Sequence, residues 1–242
     1  MHQSRAIVLR QIKYSETSLI LKIYTEKEGL LSFIVKGVRG KKGRLRSAQF
    51  QPLNLIDISY REARKSQLRQ INDLKVIEPF IDLPFNPVKR TIAIFIAELI
   101  QNVIKEEEPN AKLFDFLFSS IHWIDLSKES YSHFHLLFMM KFTKHLGFYP
   151  MLDGHNEARY FDLQQGVFSR REPKNSYFID SEQLSAWKQL INVKLETIKS
   201  LMFSNSLKRK LLQTMMLYYK LHLIHFKELN SHHILQSVFD NE

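Results

Sequence analysis

The chain has 242 residues, 44% of them hydrophobic, and a mean hydropathy of −0.25, which is enough to bury a core in one large domain or two ordinary ones. It contains no cysteine, which excludes a disulfide framework, a thiolate metal site and a cysteine nucleophile. The formal charge of +10 favours anionic partners, either nucleic acid or an acidic membrane surface.

That charge is unevenly placed. Residues 1–80 carry 16 Lys and Arg against 7 Asp and Glu, and residues 81–242 carry 19 against 18. A basic module is joined to a neutral one. The N-terminus runs into alternating residues and not a long apolar run, so no signal peptide is read. The most apolar stretch, residues 92–100, is interrupted by Glu98 and falls far short of the ~20 residues of a spanning helix. A cytoplasmic protein is expected.

Residues 6–78 read as β-structure. Ile7 and Leu9 alternate with Arg10, and Leu19, Leu21 and Ile23 alternate with Lys22 and Tyr24. A third run holds Leu31, Phe33 and Val35, a fourth runs from Leu53 to Tyr60, and a fifth covers residues 68–77. Turn residues at 14–17 and 26–29 separate the early runs. Five short strands of period two suit an OB-type barrel, whose open face commonly takes oligonucleotides. Lys22 and Tyr24 share one face, where Tyr24 serves either as a stacking ring or as ordinary barrel packing.

Between the third and fourth runs, residues 36–46 carry six cations: Lys36, Arg39, Lys41, Lys42, Arg44 and Arg46. Gly37, Gly40 and Gly43 interleave with them. Glycine lets backbone approach a ligand closely, and so much positive charge in one loop suits a polyanion. The competing reading is a solvated loop. A phosphate-binding nucleotide loop is excluded, because Gly40-Lys41 is followed by Lys42 where Ser or Thr is required.

Pro79, Pro84 and Pro87 place a boundary near residue 80, giving domains at 1–80 and 81–242. Beyond it the pattern is helical: residues 91–105, then a stripe of Leu113, Leu117, Ile121 and Ile124, then 134–146 with Gly147 at the C′ position. Residues 150–178 break the pattern with a small hairpin insertion around Tyr160, Phe161 and Phe168. Helices resume at Ser181, read as an N-cap, and run to about Phe226. Lys208, Arg209 and Lys210 open the last long helix, the end a helix dipole disfavours for cations. They mark either a second anion contact or a solvated face. His222 and His225, with His232 and His233 beyond, read as surface residues, since no carboxylate pair or thiolate completes a metal shell. No catalytic motif is present, so no enzyme, cofactor or metal is expected.

The layout resembles the RecO family of DNA repair proteins. The likeness rests on Tyr14-Ser15-Glu16-Thr17-Ser18, Lys36-Gly37-Val38-Arg39, the basic loop, and Phe50-Gln51-Pro52-Leu53. It continues through Leu146-Gly147-Phe148-Tyr149-Pro150 and Tyr218-Tyr219-Lys220-Leu221-His222. The resemblance implies an α+β chain, a five-stranded OB barrel followed by a helical domain, acting as a recombination mediator. Such proteins bind single- and double-stranded DNA, anneal complementary strands, and work with RecR to load RecA onto strands covered by single-stranded DNA-binding protein (SSB). The SSB tail docks on the helical domain, and Lys208, Arg209 and Lys210 are the expected contacts for it here. Lys36, Arg39, Lys41, Lys42, Arg44 and Arg46 are the expected DNA contacts, helped by Arg5, Arg10 and Lys22. Many family members bind zinc through two Cys-x-x-Cys pairs in the insertion. Here Asp153, Asn156, Ser169 and Glu172 fall at those places, so no zinc is expected there. A protein-docking adaptor with incidental DNA affinity and an RNA-binding OB protein are the alternatives.

Overall fold

Alternating apolar residues in the first third form five strands: β1 (His2–Lys13), β2 (Leu19–Thr25), β3 (Gly29–Val35), β4 (Leu55–Arg61) and β5 (Arg69–Val76). The structure is a computed structural model and describes residues 1–38, 47–61, 68–105, 108–128 and 131–240. The strands close a barrel in the order β1-β2-β3-β5-β4, antiparallel throughout except for the β3–β5 pair. This is the OB arrangement expected from the strand spacing. Inside it, Val8, Leu21, Ile23, Leu31, Phe33, Ile56, Ile58 and Tyr60 form one buried cluster. The Tyr60 hydroxyl donates to Glu28 at 2.5 Å, and the same carboxylate meets Arg69 at 3.5 Å.

A bulge at Leu9 corrects the simple alternation in β1. Val8 pairs with Ile23 and Arg10 with Lys22, so Leu9 is the extra residue. Leu9 and Arg10 therefore both lie on the outer side of the barrel. Ile7 and Leu9 are fully buried yet outside the barrel cluster. Two helices cover that part of the outer surface, α1 (Pro87–Val103) and α2 (Ala111–Leu126). Gln101 of α1 donates to the Leu9 carbonyl at 2.6 Å, and Phe114 of α2 stacks on Tyr24 at 6.2 Å. Tyr24 is thus barrel packing, not a stacking platform.

The chain divides into two compact units, Met1–Leu126 and Ser127–Glu242. The prolines mark the step from strand to helix, but α1 and α2 share a unit with the barrel. Asp125 fixes that step. Its carboxylate accepts from the backbone N–H groups of Ile81, Asp82 and Leu83 at 2.9, 3.0 and 2.7 Å. Buried Lys89 completes the clasp, donating to the Asp125 carbonyl at 2.8 Å and pairing with Asp82 at 2.7 Å. Asn86 caps α1, accepting from Val88 and Lys89, and Pro87 occupies the first turn.

The second unit holds α3 (Phe134–His145), a three-stranded sheet of β6 (Tyr160–Asp162), β7 (Val167–Ser169) and β8 (Phe178–Asp180), and then α4 (Ser181–Asn192), α5 (Asn205–His222) and α6 (Ser231–Asp240). Gly147 follows α3 with φ +84°, the left-handed value a helix terminator needs. β8 and α6 were not expected from the sequence. Ser181 is the first residue of α4, with Asp180 at the cap position, so its reading as an N-cap is corrected.

Candidate nucleic-acid interface

The basic loop is rooted at both ends in well-packed structure. On entry, the Val38 N–H donates to the Thr17 carbonyl at 2.9 Å and the Val38 side chain is buried. On exit, Phe50 is fully buried and the Asn54 amide donates to the carbonyls of Ala48 and Gln49. Leu53 then takes φ +68°, rare for a branched residue, while its N–H donates to Val8 at 2.6 Å. Lys36, at the end of β3, is exposed. Arg39, Lys41, Lys42, Arg44 and Arg46 lie outside the described residues.

The register of β1, β2 and β3 aligns the remaining expected contacts. Arg10 lies opposite Lys22, and Lys22 opposite Ser32, in one row across the three strands. Both cations are exposed. Lys22 lies along the sheet and donates to the Ser32 hydroxyl at 2.7 Å. One step nearer the loop, Ile12, Ile20 and Ile34 form the next outward row. Ile12 is 40% exposed, a large aliphatic on open surface. Lys13 and Lys36 flank the end of this sheet, beside the paired Leu19 and Val35. The open outer face thus places aliphatic surface between a cationic row and the base of the basic loop. Sequence reasoning missed Lys13 and the isoleucine row. The strand register, set by the Leu9 bulge, was the missing information.

Arg5 belongs elsewhere. Its guanidinium meets Glu26 in a two-pronged pair at 2.9 and 2.6 Å and lies 5.2 and 5.3 Å from the rings of Phe114 and Phe118. The hydrogen bond to Glu26 raises the Arg5 pKa, and the same bond holds the Glu26 carboxyl below its usual range. Arg5 fastens α2 to the barrel and offers little uncompensated charge to a phosphate.

In the second unit, Lys208 is only 7% exposed, while Arg209 and Lys210 are exposed. Lys208 does not present its charge to solvent, which corrects its place among the candidate partner contacts. Its neighbours are histidines. Burial, and then the charge of Lys208, pushes His133 down to about 4. Burial, with His133 and Lys208 adding to it, pushes His135 down to about 3. His222 also has a structural role: it stacks on Phe148 at 5.1 Å and donates to the Leu163 carbonyl at 2.9 Å.

The insertion is held by aromatic packing and one buried carboxylate. Phe161 meets Phe168, Trp187 and Tyr218 at 4.7, 5.4 and 5.8 Å. Asp162 accepts from the N–H groups of Gln164 and Gln165 and from the Asn175 amide at 2.8, 3.0 and 2.8 Å. Where a thiolate would be expected, the Ser169 hydroxyl donates to the Arg171 carbonyl and closes a turn. Asp153 and Asn156 are exposed.

Comparison with known proteins matches this architecture. The family model described as Recombination protein O N terminal matches residues 1–80, and that described as Recombination protein O C terminal matches residues 84–230. The chain is 35% identical to the DNA repair protein RecO of Bacteroides fragilis over 241 residues, covering 99% of this chain and 100% of that protein. It is 34% identical to that of Phocaeicola vulgatus over 239 residues, covering 99% of each. Against the RecO of Flavobacterium psychrophilum the identity is 33% over 238 residues and 98% of each chain.

Proposed function

The chain belongs to the RecO family, and from that premise we propose that it is a DNA repair and recombination mediator that binds DNA through its barrel. The observation that carries this reading is the row of Arg10 and Lys22 on an open β-face, close to the base of a loop with six cations. Opposed cations on neighbouring strands repel each other, and a polyanion laid across them turns that repulsion into binding. Phosphate contacts of this kind are indifferent to sequence, as a protein handling any single strand requires.

In this reading Lys36, Arg39, Lys41, Lys42, Arg44 and Arg46 neutralise phosphates with Arg10 and Lys22, while Lys13 extends the track. Two complementary strands brought to one basic surface repel less and anneal. With RecR as partner, the protein helps RecA load onto SSB-coated strands, and the acidic SSB tail docks on the helical part, where Arg209 and Lys210 are exposed in the first turns of α5. No catalytic step is assigned.

Annealing of two labelled complementary oligonucleotides, each coated with SSB, tests the proposal. The protein accelerates annealing, and the acceleration disappears when the six loop cations are replaced by alanine. Tight DNA binding without acceleration in the intact protein would leave a DNA-binding adaptor and refute the mediator role. Equal acceleration by the loop variant would remove the loop from the account.

A further inference from the structure

The connection between α5 and α6, together with the first turn of α6, gathers Glu228, His232 and His233. One carboxylate oxygen and one nitrogen from each ring lie within 4.8 Å of one another. The two imidazole rings are 3.7 Å apart. Glu228 and His233 are exposed, whereas His232 is 8% exposed. Nδ1 of His232 donates its proton to the Leu229 carbonyl, which leaves Nε2 with a free lone pair. Metal-ligating histidines are commonly held this way, with one nitrogen anchored to a carbonyl and the other ready for the ion.

We infer that Glu228, His232 and His233 form a binding site for a divalent transition-metal ion of the zinc class. Two imidazoles and one carboxylate suit zinc, nickel, cobalt or copper, whereas magnesium and calcium prefer oxygen ligands. Three protein ligands leave a fourth position for solvent. Metal–ligand bonds of about 2.0–2.1 Å place tetrahedral ligand atoms about 3.4 Å apart. The exposed Glu228 and His233 can close that gap by side-chain rotation, with buried His232 as the fixed point. The positive end of α6 opposes a cation, and the Glu228 carboxylate offsets that field. Bound metal ties the start of α6 to the chain leaving α5. Neither His222, engaged with Phe148 and Leu163, nor His225 belongs to the cluster. This site is separate from the insertion where other family members carry cysteines.

The test uses the full chain, stripped with a chelator and dialysed, then titrated with zinc chloride against a chromophoric competitor while thermal unfolding is followed in parallel. One ion binds per chain and raises the unfolding temperature, and magnesium chloride does neither. Affinity falls about tenfold or more in Glu228→Gln and His233→Ala and is unchanged in His225→Ala. Absence of stoichiometric binding, or equal loss in His225→Ala, overturns the site. Should either ligand variant differ from the parent in circular dichroism, X-ray absorption on the zinc-loaded parent decides. A shell with two imidazoles and a carboxylate upholds the assignment, and any other ligand set refutes it.

Discussion

Arg10 and Lys22 face each other across antiparallel β1 and β2, two cations in a directly opposed pair. Directly opposed like charges destabilise a sheet by roughly 0.2–1 kcal/mol, so stability alone does not explain them. Replacing both with serine is expected to leave urea stability unchanged or raise it by up to about 1 kcal/mol. The same change lowers single-strand affinity several-fold and flattens its salt dependence by about 1.4 log units per log unit of salt. Denaturation and fluorescence anisotropy, measured on one preparation, check the two halves together.

Arg5 is expected to behave in the opposite way. Its pair with Glu26 and its position over Phe114 and Phe118 are structural, so Arg5→Ala costs about 1–2 kcal/mol of stability. The salt dependence of DNA binding is unchanged, since Glu26 already balances the charge. A salt slope that falls as far as in Arg10→Ser would return Arg5 to the DNA surface.

These two arginines show how far the sequence could be read. The five strands and the helices α1 to α5 follow from period two and period 3.6, because burial on one face writes itself into residue order. The closure of those strands into an OB-type barrel and Arg10's outward position were also legible. What Arg5 touches was not, because Glu26, Phe114 and Phe118 come from a turn and a helix up to 113 residues away. The Leu9 bulge was hidden for the same reason: a one-residue shift depends on how β1 meets β2 and α1, not on any local pattern. Lys208 looked like a surface cation until the packing of α5 against the region of His133 and His135 enclosed it. In the candidate interface, the loop was plain from composition alone, whereas the Arg10–Lys22 row and the isoleucines beside it needed the register.

Asp125 supplies a third outcome. Removing its carboxylate in Asp125→Ala leaves the N–H groups of Ile81, Asp82 and Leu83 without their acceptor, while Lys89 keeps its bond to the main-chain carbonyl of residue 125. A loss on the order of 3 kcal/mol is expected in urea denaturation. Asp125→Asn, which keeps one acceptor oxygen, loses less. Equal losses in the two variants would show that the carboxylate is not the clasp.

Acid should loosen the second unit. His133 and His135 titrate at about 4 and about 3 in the folded chain, below the ordinary value near 6.5 that they recover on unfolding. The unfolded chain therefore binds more protons through that window, so stability is complete above pH 6.5 and falls as pH drops towards 3. Each histidine contributes a few kcal/mol at most. Trp187 fluorescence in a Trp123→Phe background reports the transition. Its urea midpoint falls steadily from pH 7 to pH 4, and His135→Phe reduces the fall. A flat midpoint across that range would contradict the buried, neutral histidines.

The central claim is that DNA is held by phosphate neutralisation on the barrel's basic loop and its neighbouring face. The most direct measurement is the affinity for a labelled single strand across a salt series, for the parent and for the variant lacking the six loop cations. The account predicts a log–log slope near −4 or steeper in the parent, becoming shallower by about 0.7 for each cation removed. A shallow slope in the parent, or the same slope in both proteins, would contradict it.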